Sequence, residues 1–157
     1  MFLIYNISHL SISSWGELNI VRIIHVDDEP FVLEITREIL QSFDREVEMR
    51  SSTSPKEAIE LVKEKEPDCV LSDFNMPEMD GIEFTRRLRE YSMIPVVMYS
   101  NVSDEGVTCE AFEAGVDDFI MKQESSVDPE HYMVLIKRIK NVVDRYRVKK
   151  QLLTIYK

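Results

Sequence analysis

The sequence predicts an α/β domain in which a parallel sheet of five strands lies between helices, and three observations lead to it. Short apolar runs bounded by Pro, Gly, Asp or Asn recur five times, as strands buried on both faces do. Segments with apolar residues at steps of three and four alternate with those runs. The connections are short, and such an alternation folds through right-handed crossovers into one parallel sheet covered on both sides.

Val21 to Val26 is the first strand, and it runs straight into Asp27-Asp28-Glu29-Pro30. Pro30 suits the first turn of a helix, along which Val32, Ile35, Ile39 and Phe43 recur at helical spacing. Val47 to Arg50 is a short second strand. Ser54-Pro55-Lys56-Glu57 then reads as a capping box with Pro at the first helical position, opening a helix that uses Ala58, Leu61 and Val62. Pro67-Asp68 restarts the chain as the Cys69 to Ser72 strand. That strand delivers Asp73 into the loop Phe74-Asn75-Met76-Pro77-Glu78-Met79-Asp80-Gly81, and a helix with Phe84, Leu88 and Tyr91 on one face follows. Val96 to Tyr99 is a fourth strand ending at Ser100-Asn101. A thin helix with Val107, Ala111 and Ala114 comes next, stopped by Gly115 in the left-handed conformation. Phe119-Ile120-Met121 is the fifth strand, with Lys122 at its end.

At 157 residues, 44% apolar and 31% charged, the chain is one globular domain with an appendage. Two cysteines, Cys69 and Cys109, form neither a zinc set nor a disulfide framework, which suits a reducing, cytoplasmic setting. The formal charge of -10 argues against a nucleic-acid surface, since binding there needs a basic stripe. The charge is uneven: residues 131 to 157 carry +7 and residues 1 to 130 carry -17. Residues 1 to 20 have no Lys or Arg and no unbroken apolar span, so neither a signal peptide nor a membrane helix is expected. The expected organisation is a poorly ordered extension over 1–20, a domain over 21–145 and a helical extension or linker over 146–157.

Four of the five strand ends present polar groups at one edge of the sheet: Asp27 and Asp28, Asp73, Ser100 and Lys122. In open α/β sheets the carboxyl edge is where ligands bind. Three carboxylates meeting there repel one another, by roughly 4 kcal/mol per pair at ~4 Å and an effective dielectric constant near 20. A divalent cation resolves that conflict, and ligation by a few oxygens suits Mg2+, which keeps several waters. One carboxylate can then attack phosphorus while the cation and Lys122 neutralise the charge on the transferring oxygens and Ser100 hydrogen-bonds one of them. Taken alone, Asp27 and Asp28 read sooner as a helix-capping cluster than as a site. No glycine-rich nucleotide loop is present, so ATP is not an expected ligand.

The segments Asp27-Asp28-Glu29-Pro30, Ser72-Asp73-Phe74-Asn75-Met76-Pro77-Glu78-Met79-Asp80-Gly81, Val96-Val97-Met98-Tyr99-Ser100 and Asp118-Phe119-Ile120-Met121-Lys122 together resemble the response-regulator receiver domain of two-component signalling, over about residues 21 to 145. The resemblance implies a flavodoxin-like sheet in the order 2-1-3-4-5. It implies that Asp73 accepts a phosphoryl group from a histidine kinase or phosphotransfer protein, and that Mg2+ is held by Asp28 directly, Asp27 mainly through water, Asp73 and the backbone carbonyl of Asn75. Lys122 and Ser100 would grip the phosphoryl group, and Phe119 would change rotamer as the switch. It implies a signalling module that catalyses only its own phosphorylation and dephosphorylation, not an enzyme acting on other substrates. Phosphatases of the haloacid-dehalogenase kind also use a strand-end Asp, but they want a second acid two residues on, where this chain has Asn75. Two positions depart from the receiver pattern: Gln123 stands where the family usually has Pro, and Asn101 where it has a small residue.

Along the C-terminal helix, Tyr132, Leu135, Ile139, Val142, Tyr146, Lys149, Leu153 and Tyr156 alternate steps of three and four, the seam of a coiled coil. The first half must cover the sheet. From Tyr146 onward the helix is expected to form a weak parallel homodimer or to continue into a fused sensory or kinase domain, with neither nucleic acid nor membrane as partner.

Overall fold

Five strands and five helices alternate strictly in the computed structural model, which describes residues 19–102, 104–123 and 128–156. The elements are β1 (Val21–Val26), α1 (Pro30–Phe43), β2 (Val47–Ser52), α2 (Pro55–Lys65), β3 (Cys69–Ser72), α3 (Gly81–Arg89), β4 (Val96–Ser100), α4 (Glu105–Ala114), β5 (Asp118–Met121) and α5 (Pro129–Ile155). All neighbouring strands are parallel, in the order β2-β1-β3-β4-β5. The expectation for residues 1–20 falls outside the described residues, apart from Asn19 and Ile20.

Alternation along the strands divides the core in two. Val21 and Ile23 face one side and pack with Leu40 of α1 and with Leu135, Ile139 and Val142 of α5. Ile24 and Val26 face the other side and pack with Ala58, Phe84, Leu88 and Ala111 of α2, α3 and α4. Because β1, β3 and β4 are covered on both faces, their runs are apolar rather than alternating.

Local chemistry sets the helix ends. Ser54 caps α2 by accepting from the Glu57 amide at 3.4 Å, while the Glu57 carboxylate takes the Ser52 hydroxyl at 2.6 Å, so the expected capping box closes through a third residue. Asp80, Asp104 and Asp128 cap α3, α4 and α5 with their side chains. Gly115 ends α4 at φ 102°, with the Arg89 side chain packed where a Cβ would stand.

Two apolar faces differ from the reading of the sequence. In α1 the buried stripe is Leu33, Thr36 and Leu40, one residue on from Val32, Ile35 and Ile39, and Phe43 is exposed. Tyr91 lies past the end of α3 and is 44% exposed, whereas Phe84 and Leu88 are fully buried. The strand β2 extends two residues beyond Arg50, to Ser52.

The helix α5 is continuous over 27 residues. Arg147 ties it to the body, donating to Asn19 Oδ1 at 2.6 Å, Ile20 O at 2.9 Å and Asp68 Oδ1 at 2.8 Å. Val148, Leu152, Leu153, Ile155 and Tyr156, beyond it, are exposed. That set is broader than a coiled-coil seam, since Val148, Leu152 and Ile155 fall outside the steps that run through Lys149 and Leu153.

Candidate functional site

The end of β1 brings the first carboxylate to the edge. The Asp27 amide donates to Ser52 O at 3.2 Å, which keeps Asp27 in register with the sheet and leaves it fully buried. Its Oδ1 accepts the Glu29 amide at 2.9 Å and turns the chain into α1. Asp28, next to it, is half-buried.

At the end of β3 the Asp73 amide donates to Val26 O at 2.9 Å, which sets Asp73 beside Asp27. The Phe74 amide donates to Asp73 Oδ1 at 2.8 Å, and the Gly81 amide closes the loop on Phe74 O at 2.8 Å. A Cβ on Gly81 would stand 2.4 Å from Asp73 O and 2.8 Å from Met98 Sδ. The glycine therefore allows a close approach to the Asp73 backbone, a stronger requirement than that of a turn dipeptide.

Asp27, Asp28 and Asp73 each offer an oxygen within 4.8 Å of the other two, a set able to hold a metal ion. Lys122 Nζ enters from the end of β5, 2.5 Å from Asp27 Oδ2 and 3.4 Å from Asp73 Oδ1. The Lys122 amide donates to Ser100 O at 3.0 Å, so one backbone bond fixes the ends of β4 and β5 together. Ser100 is buried at the end of β4. Asn75 is exposed in the loop two residues past Asp73. Phe119 is half-buried against the core beneath α3 and α4, in register with Met98.

Burial raises the Asp27 carboxyl above its ordinary value, against the lowering effect of its bonds to Lys122 and the Glu29 amide; the Asp73 charge raises it further. Three carboxylates share one ammonium, and the most buried of them is the least comfortable ionised. Such an oxygen-only set fits a hard divalent cation such as Mg2+.

Next to the edge, on the α1–α5 side of the sheet, Tyr99, His131 and His25 form a second polar group. Tyr99 is buried, its ring 5.7 Å from Lys122 Nζ. Its hydroxyl is 3.0 Å from His131 Nε2 in the first turn of α5, and the two rings stack at 5.8 Å. His25 is fully buried 6.4 Å from the Tyr99 ring, with neither ring nitrogen hydrogen-bonded among the described residues. Burial first, and the Lys122 charge second, lower the His25 pKa to about 3, so its ring is neutral. His25 is level with Leu71 and Leu71 with Val97 in the parallel sheet, so strand alternation places His25 and Tyr99 on one face.

The comparisons with known proteins concern the family and the fold. The family model of the response regulator receiver domain matches residues 23–132, and the chain belongs to that family, the receivers of two-component systems. Over 131 residues it is 34% identical to a protein-glutamate methylesterase/protein-glutamine glutaminase of Methanococcus maripaludis, covering 82% of this chain and 36% of that relative. A Pseudomonas syringae protein of the same name is 38% identical over 104 residues, 65% of this chain and 27% of the relative. The chain spans about a third of the length of such relatives. Among solved structures, the response regulator domain of Thermotoga maritima CheB superposes with a TM-score of 0.72 at 27% identity, over 80% of this chain and 97% of that one. A CheY-like receiver of Methanospirillum hungatei shares the fold, at a TM-score of 0.71 and 23% identity.

These relatives overturn one expectation from the sequence. The chain was expected not to be an enzyme, whereas curated relatives that it matches bear the names of enzymes. Receiver motifs report only on the phosphoryl site, so they carry no information about an activity named for the longer relatives. Among the described residues, no helix is long and apolar enough to cross a membrane.

Proposed function

We propose that this receiver accepts a phosphoryl group on Asp73 from a partner histidine kinase or phosphotransfer protein, in the cytoplasm, and thereby changes a protein-interaction surface. The observation that carries the reading is the convergence of Asp27, Asp28 and Asp73 on one another and on Lys122. Mg2+ would be held by Asp27, Asp28, Asp73 and the Asn75 carbonyl, and when bound it supplies positive charge to the phosphoryl oxygens.

An Asp73 carboxylate oxygen attacks phosphorus, the P–N bond to the donor imidazole breaks, and its electron pair leaves with the ring, forming an acyl phosphate. Lys122 has two carboxylates as partners before transfer, and a phosphoryl oxygen offers it a third. Its move toward that oxygen follows the negative charge, which passes from the Asp73 carboxylate to the phosphoryl group, while Mg2+ would remain as the cation beside Asp27. Ser100 is anchored to Lys122 through the backbone, so its hydroxyl approaches the same group, and Phe119 fills the space that Ser100 leaves. Such a switch works because the two states differ in contacts that phosphate alone creates.

Incubation of the protein with acetyl phosphate and Mg2+ tests this reading. Intact mass should show one added phosphoryl group, labile to hydroxylamine and absent from Asp73→Asn. Steady release of phosphate from unrelated phosphoesters, without modification of the protein, would instead indicate a phosphatase.

A further inference from the structure

The two faces of the sheet part at the end of β4. Tyr99 and Ser100 are its last two residues, and successive side chains of a strand point to opposite faces. Tyr99 belongs to the core beneath α1 and α5, whereas Phe119 packs into the core beneath α3 and α4. A relay through Ser100 and Phe119 therefore serves one face only. Lys122 rests on the other: its Nζ is 5.7 Å from the centre of the Tyr99 ring, within the reach of a cation–π attraction.

The same ring is tied at its hydroxyl. That oxygen is 3.0 Å from His131 Nε2, and the two rings stack with their centres 5.8 Å apart. A buried tyrosine hydroxyl ordinarily finds a partner, so the bond alone says nothing of function. What matters is which residue it finds. His131 stands in the first turn of α5, past the Asp128 cap, and its ring meets Tyr132 edge-on at 5.4 Å. Tyr99 is 3% exposed and is closed in by His25 at 6.4 Å. In an interior packed to crystal density, a shift of its ring is passed on to His131 rather than absorbed.

We propose that Tyr99 is a positioning residue for Lys122 and that the Tyr99–His131 bond makes the first turn of α5 a second readout of the site, on the α1–α5 face of the sheet. The trigger rests on the phosphorylation of Asp73 proposed above; the linkage of Lys122 to His131 does not. Before transfer the ring steadies the ammonium beside Asp27 and Asp73. When Lys122 turns to a phosphoryl oxygen its attraction to the ring changes, the ring shifts, and the hydroxyl carries that shift to His131. The two faces then answer to different atoms: Phe119 to the Ser100 hydroxyl, and His131 to the position of the ammonium. Coupling of this kind needs different contacts in the two states, and Lys122 supplies them.

The histidine Cε1–H resonances of the full chain near neutral pH are the test, with the His131 signal assigned by its loss in His131→Asn and folding checked by circular dichroism. Lys122→Met should move the His131 signal in the wild-type background and leave it nearly in place in Tyr99→Phe, where the ring stays and the hydroxyl is gone. Acetyl phosphate with Mg2+ should move the signal in wild type and in Ser100→Ala but not in Tyr99→Phe, with intact mass reporting the phosphoryl group in each. Tyr99→Leu should slow uptake of that group about two- to fivefold, as loss of one cation–π contact does, and Tyr99→Phe should recover the loss. A His131 signal that answers Lys122→Met equally in wild type and in Tyr99→Phe would overturn the proposal, as would one that phosphorylation of wild type leaves unmoved. Absence of a phosphoryl group from every protein would overturn the phosphoacceptor reading and with it the trigger, whereas the Lys122→Met comparison would still decide the linkage.

Discussion

Lys122 Nζ is bound to Asp27 at 2.5 Å and stands 3.4 Å from Asp73, so the ammonium lies closest to the fully buried carboxylate. Removing the lysine leaves that carboxylate buried without a cation. Lys122→Met should destabilise the fold by about 3 kcal/mol near neutral pH. The deficit has a pH sign. The folded-state pKa of Asp27 is raised, so the folded state holds its proton more tightly than the unfolded chain; the associated stability is present at low pH and is lost as pH rises through the raised value. Without Lys122 the pKa rises further, so urea midpoints of the variant should approach wild type at acid pH and fall away as pH increases.

Magnesium should raise the melting temperature, since a ligand that binds only the native state stabilises it by mass action, by about 2.7 kcal/mol at a hundredfold excess over Kd. Asp28→Ala should abolish that rise while leaving the metal-free protein folded, because Asp28 is only half-buried. A magnesium shift of full size in Asp28→Ala would put the ion elsewhere on this acidic surface.

Gly81→Ala should be costly for a residue at a helix start. Its Cβ would meet the Asp73 carbonyl at 2.4 Å, and the chain on one side or the other must move. We expect a loss of about 1–3 kcal/mol in chemical denaturation, together with slower phosphorylation of Asp73. Substitution of the exposed Gly106 should not couple stability to phosphorylation in this way.

Among the described residues, His25 buries two unbonded ring nitrogens. Its folded-state pKa, lowered from 6.5 to about 3, means that the neutral ring contributes fully above pH 6.5 and that stability is lost as pH falls toward about 3. His25→Leu should therefore move acid unfolding, followed by circular dichroism, to lower pH. At neutral pH it should be as stable as wild type or gain about 1 kcal/mol, because two polar atoms without partners are removed.

The strand–helix alternation was legible because β1, β3 and β4 are buried on both faces and stand out as apolar runs. The carboxyl-edge cluster was legible because each member directly ends a strand, so position along the chain reports position in space. Legibility failed where the decision belongs to tertiary packing. In α1 two sets of residues fit helical spacing, and the sheet buries the one that contains Thr36 rather than the wholly apolar one. The pair Tyr99 and His131 is 32 residues apart, and no local pattern announces it. Arg89 reads as one more basic residue near the end of α3. In the fold it is largely buried, donating to Gly115 O at 2.7 Å, Ile94 O at 2.9 Å and Ser92 O at 3.1 Å, and so holds together the turns that enter β4 and β5.

The central claim is that Asp73 is the phosphoacceptor, and the most direct measurement is peptide mapping of the protein after acetyl phosphate and Mg2+, with sodium borohydride used to convert the acyl phosphate to homoserine. The account predicts homoserine at position 73 and none in Asp73→Asn, which should remain folded and no less stable than wild type without magnesium, because one of three repelling charges is gone. Homoserine at position 27 or 28, or a phosphoryl group of unchanged amount in Asp73→Asn, would contradict it.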